Sequence, residues 1–494
     1  YLHPALRAKI FLASPSFALA AAVGVTAVLA ARWRLRWWQR LAALGIIFGV
    51  GYGAGRPFAA GGEYSHIYTM IFYKLRYLGV KPEDPTLLPL AAREIWTGPA
   101  NSPSLAAAAV LVGAPLLLAL PPLISGLKRS LRGFRDAAGA YGAATVAFVA
   151  AFGGLYALYN RFSVIFIFFV AVAAGGYASL ASGGRRRWAW LLIPVLLVPL
   201  EGIKALRYED RPQPWRAWLV AAAESEGGYA TNVGDEEWRI IRWFGNQPDR
   251  GETAVLGPFA ASASFLTYAR TPTVLHPIYE APGMRAKVDE CTRALYAGEE
   301  EFYRLCRKYE VTYVAYHAAY LTKRDVDSIR YTRAVTEVRA DSCAYRMQFE
   351  PEKLAHFAPV FETISWRVFL VGVPGSEAPD LGPPSPLFEG PARQGDLYDE
   401  GHPARAYAVI DEALTLYNDG VELYERGEFE AAREKYVAAL ELCPRLVGAW
   451  DALAWLELED GNGRAGAFAA GEALALDPYD DAAHAAFAAL RGEG

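Results

Sequence analysis

GRPFAAGGEYSHIYTMIFYKLRYLGVKPEDPTLLPLAAREIWTGPANSP, residues 55–103, decides how this chain is read, because it is a polar and aromatic stretch set between long apolar runs. Its middle, His66 to Gly79, places Ile67, Ile71, Leu75 and Leu78 at helical spacing with Lys74 and Arg76 among them. That pattern predicts an amphipathic helix lying along a membrane surface. Pro82 and Pro85 stop the helix, since each restricts the residue before it. Trp96, Pro99 and Pro103 return the chain to an interface.

Working outward, the apolar residues, 53% of the 494, are concentrated before residue 207. Six runs, roughly 15–31, 37–54, 104–127, 137–158, 162–182 and 188–206, approach the requirement of about 20 mostly apolar residues per membrane-crossing helix. The second is short and rich in glycine. Arginine and lysine cluster between the first and second runs (Arg32, Arg34, Arg36, Arg40), the third and fourth (Lys128, Arg129, Arg132, Arg135), and the fifth and sixth (Arg185, Arg186, Arg187). In a six-pass zigzag all three clusters share one side, which the excess of cationic residues makes cytoplasmic. The expectation is therefore an integral membrane protein whose loop 55–103 and C-terminal domains are extracytoplasmic. A chain starting outside at Tyr1, with no signal-like segment, is expected to lack upstream sequence.

The expected fold class is a polytopic α-helical membrane domain of about six spans, followed by an α/β domain and an all-α array of tetratricopeptide repeats. The domains expected are 1–206, 207–373 and 406–494, with a linker rich in proline and glycine at 374–405. In the middle domain, Thr253–Leu256, Thr273–Leu275, Val311–Tyr316 and Val368–Val371 read as short strands between helical patterns. The last domain is the most specific. Gly420, Ala432, Tyr436, Ala439 and Pro444 fit the small and large positions of a helical hairpin, and Pro478 falls 34 residues after Pro444. Leu416, Tyr417 and Trp450 are its candidate partner-binding residues, and a protein partner is expected there.

Several chemistries have no signal. There is no glycine-rich phosphate loop, no Ser/His/Asp signature and no basic run suited to nucleic acid. Cys291, Cys306, Cys343 and Cys443 lack metal-ligand spacing, which excludes a zinc motif. Cys291 could pair with Cys343, or all four could be buried thiols. Two polar features do suggest chemistry. Glu63 and His66 stand three residues apart, so a carboxylate and an imidazole could share one helix face and bind a metal or move a proton; helix capping is the plainer reading. Arg161, in the turn Tyr159-Asn160-Arg161-Phe162, could grip a phosphate bidentately or simply extend to the interface.

The loop at Glu63–Pro103, the Asn160-Arg161-Phe162 turn and the stretch ETAVLGPFAASASFLTYARTPTVLHPIYE, residues 252–280, together resemble the C-terminal half of a C-type membrane glycosyltransferase. Within that class the layout is most similar to oligosaccharyltransferase catalytic-subunit relatives. The resemblance implies transfer of a sugar or glycan from a polyprenyl-phosphate-linked donor in the membrane lipid to an extracytoplasmic acceptor. Arg161 would hold the donor phosphate as its donor phosphate-binding residue, and Glu63 with His66 would be catalytic. Ser262, Ser264 and Arg270 would lie on the acceptor side. A divalent metal, magnesium or manganese, is implied as cofactor, with the family's acidic metal motif expected upstream of residue 1. The family's acceptor-reading WWDYG-type motif does not occur, and Gly257-Pro258-Phe259 with Ser262 and Ser264 is not an equivalent. The alternative is a membrane-anchored scaffold whose repeats assemble a cell-envelope complex.

Overall fold

The computed structural model describes scattered positions between 36 and 50, then residues 65–96, 102, 116–128, 137–158, 163–181, 233–249, 251–275, 282–390 and 398–491. The chain divides into two compact units, one of residues 1–82 and 91–226, the other of 83–90 and 227–494.

In the first unit, helix α1 (Ser65–Arg76) carries Lys74 and Arg76 in its last turn, where cations complement the carbonyl end. It stops because Leu78 and Gly79 turn left-handed, at φ 52° and 79°. The Gly79 amide donates to the Lys74 carbonyl at 2.7 Å and the Leu78 amide to Leu75 at 3.3 Å, the paired bonds of a helix C-cap. Lys74 is fully buried, its ammonium 4.8 Å over the Trp96 ring and 3.1 Å from Ser102 Oγ. Lys81 donates to the carbonyls of Trp96 (2.7 Å) and Arg93 (3.3 Å), closing the end of the short helix α2 (Leu90–Ile95).

Helices α3 (Ala137–Leu158) and α4 (Ser163–Ala181) form a hairpin. Gly153 leaves room for the Phe166 ring, and Phe148 and Phe152 stack on Phe169 at 4.7 and 5.2 Å. Val149, Tyr156, Phe166, Val170 and Ala173 are buried between them.

The expected membrane domain is corrected here. Among the described residues no helix is long and apolar enough to cross a membrane, so the polytopic architecture of about six spans is not seen. The placement as an integral membrane protein with extracytoplasmic C-terminal domains falls with it. Of the six runs, 15–31 and 188–206 lie outside the described residues. Runs of uncharged residues meet the length requirement, but much of α3 is alanine and glycine, which carry little apolar surface, and α4 carries the small-residue run Ala173-Ala174-Gly175-Gly176 in its second half. The three arginine-rich loops consequently give no orientation.

The second unit is built on a four-stranded mixed sheet of order β1-β2-β4-β3, made of β1 (Ala254–Leu256), β2 (Val311–His317), β3 (Phe357–Glu362) and β4 (Trp366–Val371). β1 and β2 are parallel, and the other pairs antiparallel. A parallel pair needs a long crossover, supplied by α6 (Pro282–Leu295) and α7 (Glu299–Lys308). The two-residue period of the strands then sorts side chains between two cores. Val314 and Tyr316 of β2 face one, with Phe369, Leu305 and Cys306; Ala315 faces the other, with Val368 and Phe265. That second face is covered by α5 (Val233–Gly245) through Ile240, Ile241 and Phe244. Cys291, Cys306, Cys343 and Cys443 are all free and buried, so the bond considered between Cys291 and Cys343 is not formed. Cys343 opens helix α8 (Cys343–Phe349), capped by the Ser342 hydroxyl.

Five helices follow: α9 (His402–Glu425), α10 (Phe429–Leu442), α11 (Val447–Glu459), α12 (Gly463–Leu476) and α13 (Asp481–Arg491). They pack in sequence as hairpins because small residues sit where the partners cross. A Cβ on Gly420 would stand 2.6 Å from the Tyr436 ring, and one on Gly466 would stand 3.1 Å from the Ala454 carbonyl. The array shares its core with the sheet. Ala406, Tyr407, Ile410 and Ala413 of α9, with Ala439, Leu440 and Cys443, belong to the same buried cluster as Tyr316 and Phe369. The segment read as a linker is likewise strapped down: Ser385, Leu387 and Phe388 are buried, and Ser385 Oγ donates to the Ile364 carbonyl at 2.6 Å.

Two buried ionic groups join the array to the α/β body. Arg445, just after α10, contacts Glu362 Oε1 at 2.8 Å and donates to the carbonyls of Glu362, Pro383 and Leu381. Arg367 holds the other Glu362 oxygen at 2.6 Å. At the far end, Asp477 accepts from Arg239 (3.3 Å) and Arg242 (2.8 Å) of α5. The same arginines donate to the carbonyls of Leu476 and Tyr479.

Candidate functional site

The described residue stretch carrying the resemblance, from Glu252 onward, begins beside a hollow of about 600 Å³ lined by Pro248, Asp249, Gly251, Glu252 and Arg270. Its position follows from the local fold. The chain leaves α5 through a turn in which the Glu252 amide donates to the Asp249 carbonyl at 2.8 Å, and then enters β1. After β1 it turns back through Ser262–Ser264 and a single wide turn, Phe265–Ala269, and Arg270 ends that turn in the left-handed conformation, at φ 56°. The return leg pairs in parallel with β1 at Thr273, so Arg270 comes to the end of the sheet where β1 starts.

Asp249 Oδ1 is buried with no hydrogen-bond partner, as is the nearby Thr253 hydroxyl. Burial and then the Asp249 carboxylate push the Tyr313 phenol up. A guanidinium, two carboxylates and unmet hydrogen-bonding capacity around a hollow of this size suit a polyhydroxylated or charged small group. Tyr268, two residues before Arg270, and Trp238 of α5 are exposed, with ring centroids 5.0 Å apart.

The structure separates the three acceptor-side candidates. Arg270 lines the hollow, whereas Ser262 lies at the other end of β1, buried, its hydroxyl donating to the Pro258 carbonyl at 3.1 Å. Ser264 is half-buried in the same short helix. Glu63 and Arg161 lie outside the described residues; His66 stands in the first turn of α1, and its side chain is not among those described. Among the described residues no three His, Cys, Asp or Glu side chains come together as a metal site.

In the helical array, Leu416, Tyr417 and Trp450 are half-buried against the shared core. Trp450 Nε1 donates to the Pro444 carbonyl at 2.9 Å, and a Cβ on Gly448 would meet the Tyr417 hydroxyl at 3.3 Å. The aromatic that protrudes from α11 is Trp455, and the Tyr424 hydroxyl of α9 donates to Glu459. Sequence reasoning missed both. The available signal was their spacing: Asp451, Trp455 and Glu459 follow at four-residue intervals on one helix face.

Asp451 has its own electrostatics. One oxygen, Oδ1, is buried without a partner, and burial, then Asp480 and Asp477, push its carboxyl up to about 7 against the pull of Arg239 and Arg242. The folded protein thus keeps a proton that the unfolded chain releases near pH 4. Stability contributed by this group is present at low pH and falls as pH rises toward 7, then levels off. Asp451→Asn should flatten that fall, measured as the urea midpoint at pH 5 and pH 8. An unchanged pH slope in the variant would remove Asp451 as its source.

No protein-family model matches the chain, and no curated protein sequence matches it. Among solved structures, the chain is similar to the C-terminal globular domain of oligosaccharyltransferase from Archaeoglobus fulgidus. The identity is 18% and the TM-score 0.24, over 27% of this chain and 96% of that one. A TM-score this low does not establish a shared fold.

Proposed function

We propose that this protein takes part in sugar transfer from a polyprenyl-phosphate-linked donor to an acceptor, and that its second unit handles the acceptor at the Arg270 hollow. The observation that carries the reading is the convergence of Asp249, Glu252 and Arg270 on one hollow at the start of the stretch that resembles glycosyltransferase sequence. The Archaeoglobus fulgidus domain, by its description part of an oligosaccharyltransferase, is in keeping with it. Arg161 is assigned to the donor phosphate and Glu63 to the reacting group, with a divalent metal as cofactor. The helical array takes a protein partner. A scaffold role for the chain draws on one observation, the buried ionic contacts that fix the array to the α/β body.

The test uses the full chain with a radiolabelled polyprenyl-phosphate hexose, measuring donor binding and transfer separately. Arg270→Ala should leave donor binding unchanged and raise the acceptor KM about tenfold, the equivalent of roughly 1.4 kcal/mol. Arg161→Ala should weaken donor binding at least tenfold, and Arg161→Lys should do so less, because lysine lacks the planar two-donor fork. Glu63→Gln should lower turnover with donor binding intact. An acceptor KM unmoved by Arg270→Ala removes the acceptor assignment, and absence of any donor binding by the parent protein removes the whole reading.

A further inference from the structure

The shared face of α9 and α11 has the composition of a docking surface. On α9, Tyr417, Val421 and Tyr424 follow at i, i+4 and i+7, and on α11 Trp455 and Glu459 follow four apart. The two helices meet there, because Tyr417 reaches Gly448 and the Tyr424 hydroxyl donates to Glu459. Trp455 is 37% exposed although Ala454 and Leu456 beside it are almost wholly buried. Trp455 therefore offers a partly exposed aromatic anchor, of a kind enriched at recognition surfaces, one turn before the Glu459 that Tyr424 bonds.

The charge around it indicates what would. Residues 402–494 carry eighteen acidic and seven basic side chains. Five acids elsewhere on the hairpins are neutralised within the array: Arg433 takes Glu430, Glu457 and Asp460, Lys435 takes Asp419, and Arg426 takes Glu422. Among the described residues Glu425 and Glu459, at the ends of the two helices that make this face, have no ion pair. An apolar anchor site rimmed by uncompensated carboxylates is complementary to a cationic chain carrying an apolar side chain.

We propose that this face binds a lysine- or arginine-rich peptide segment of a partner protein, with one aliphatic or aromatic residue of that segment seated on Trp455 and its cations on Glu425 and Glu459. The inference rests on the array taking a protein partner and adds the chemistry of that partner.

The experiment measures fluorescence anisotropy of fluorescein-labelled twelve-residue peptides with the full chain at 0.15 M salt. The probes are a lysine–leucine peptide, a glutamate–leucine peptide and a lysine–glycine peptide. The first should bind at least tenfold more tightly than either other, and its affinity should fall with added salt. Trp455→Ala and Glu459→Lys should each weaken it about tenfold, and Trp455→Phe should restore most of the loss. Glu434→Lys, an exposed acid on α10 outside this face, should leave affinity within twofold. Equal loss from Glu434→Lys and Glu459→Lys would mean diffuse attraction to an acidic protein and would overturn the site. Preference for the glutamate–leucine peptide with dependence on Trp455 would overturn the cationic partner while leaving a partner surface standing. If none of the three binds, both the inference and the partner role of the array fail, and sugar transfer, measured separately, is untouched by that result.

Discussion

Arg445→Met is expected to destabilise the second unit by about 3 kcal/mol, because it takes one of two guanidinium partners from a buried carboxylate and leaves Arg367 on the other oxygen. Glu362 is 3% exposed and shares its two oxygens between Arg445 and Arg367. Methionine keeps much of the volume, so the loss is electrostatic rather than a cavity. It also strands the carbonyls of Pro383 and Leu381, which Arg445 holds at 2.9 and 2.6 Å. Since this arginine joins the helical array to β3 and to the proline-rich strap, its removal should lower a single transition seen alike by tryptophan fluorescence and far-ultraviolet circular dichroism. If the parent unfolds in two well-separated steps and Arg445→Met moves only the array's step, the α/β body and the array do not form one cooperative unit.

Asp477→Ala should cost about 3 kcal/mol at the opposite end of the same junction. Asp477 is fully buried and accepts from both α5 arginines and from the Tyr479 amide at 3.1 Å. Arg239 stays buried after the change with Glu236 as its remaining carboxylate, whereas Arg242 is exposed enough to turn into water. Asp477→Asn retains an acceptor and should cost roughly half as much, since a neutral amide bonds a guanidinium less strongly than a carboxylate does. Urea denaturation of the three proteins at one pH checks the order. Equal stability of the alanine variant and the parent would show that α5 is held by its apolar face alone.

The two junctions show where the sequence stops being informative. Arg239, Glu362, Arg445 and Asp477 lie far apart in the chain, and each taken alone reads as a solvated surface charge. Nothing in their local spacing says that Arg445 meets Glu362 from across 83 positions, as its hydrogen bond to the Glu362 carbonyl shows. The same limit applies to Arg270. Its place at the mouth of a hollow with Asp249 and Glu252 depends on the chain doubling back after β1, and on a left-handed residue that no propensity assigns to arginine.

The membrane reading failed for a different reason. Alanine and glycine add to the length of an uncharged run while contributing little apolar surface. In α3 one of those small residues, Gly153, lets the Phe166 ring approach, so it serves contact with α4.

What the sequence determined by itself is local. The short apolar run Val311–Tyr316, rich in β-formers, assigns a strand, and the spacing of Gly420, Ala432 and Tyr436 assigns a pair of helices in close contact, because propensity and side-chain size act within a few residues. Tertiary structure alone decided that the proline-rich strap and the first half of α9 belong to the core of the sheet. It also decided which carboxylates are buried with arginines and which, like Glu459, are exposed without an ion pair. Those outcomes depend on contacts between residues tens to hundreds of positions apart, whose energies come from burial that only the folded chain creates.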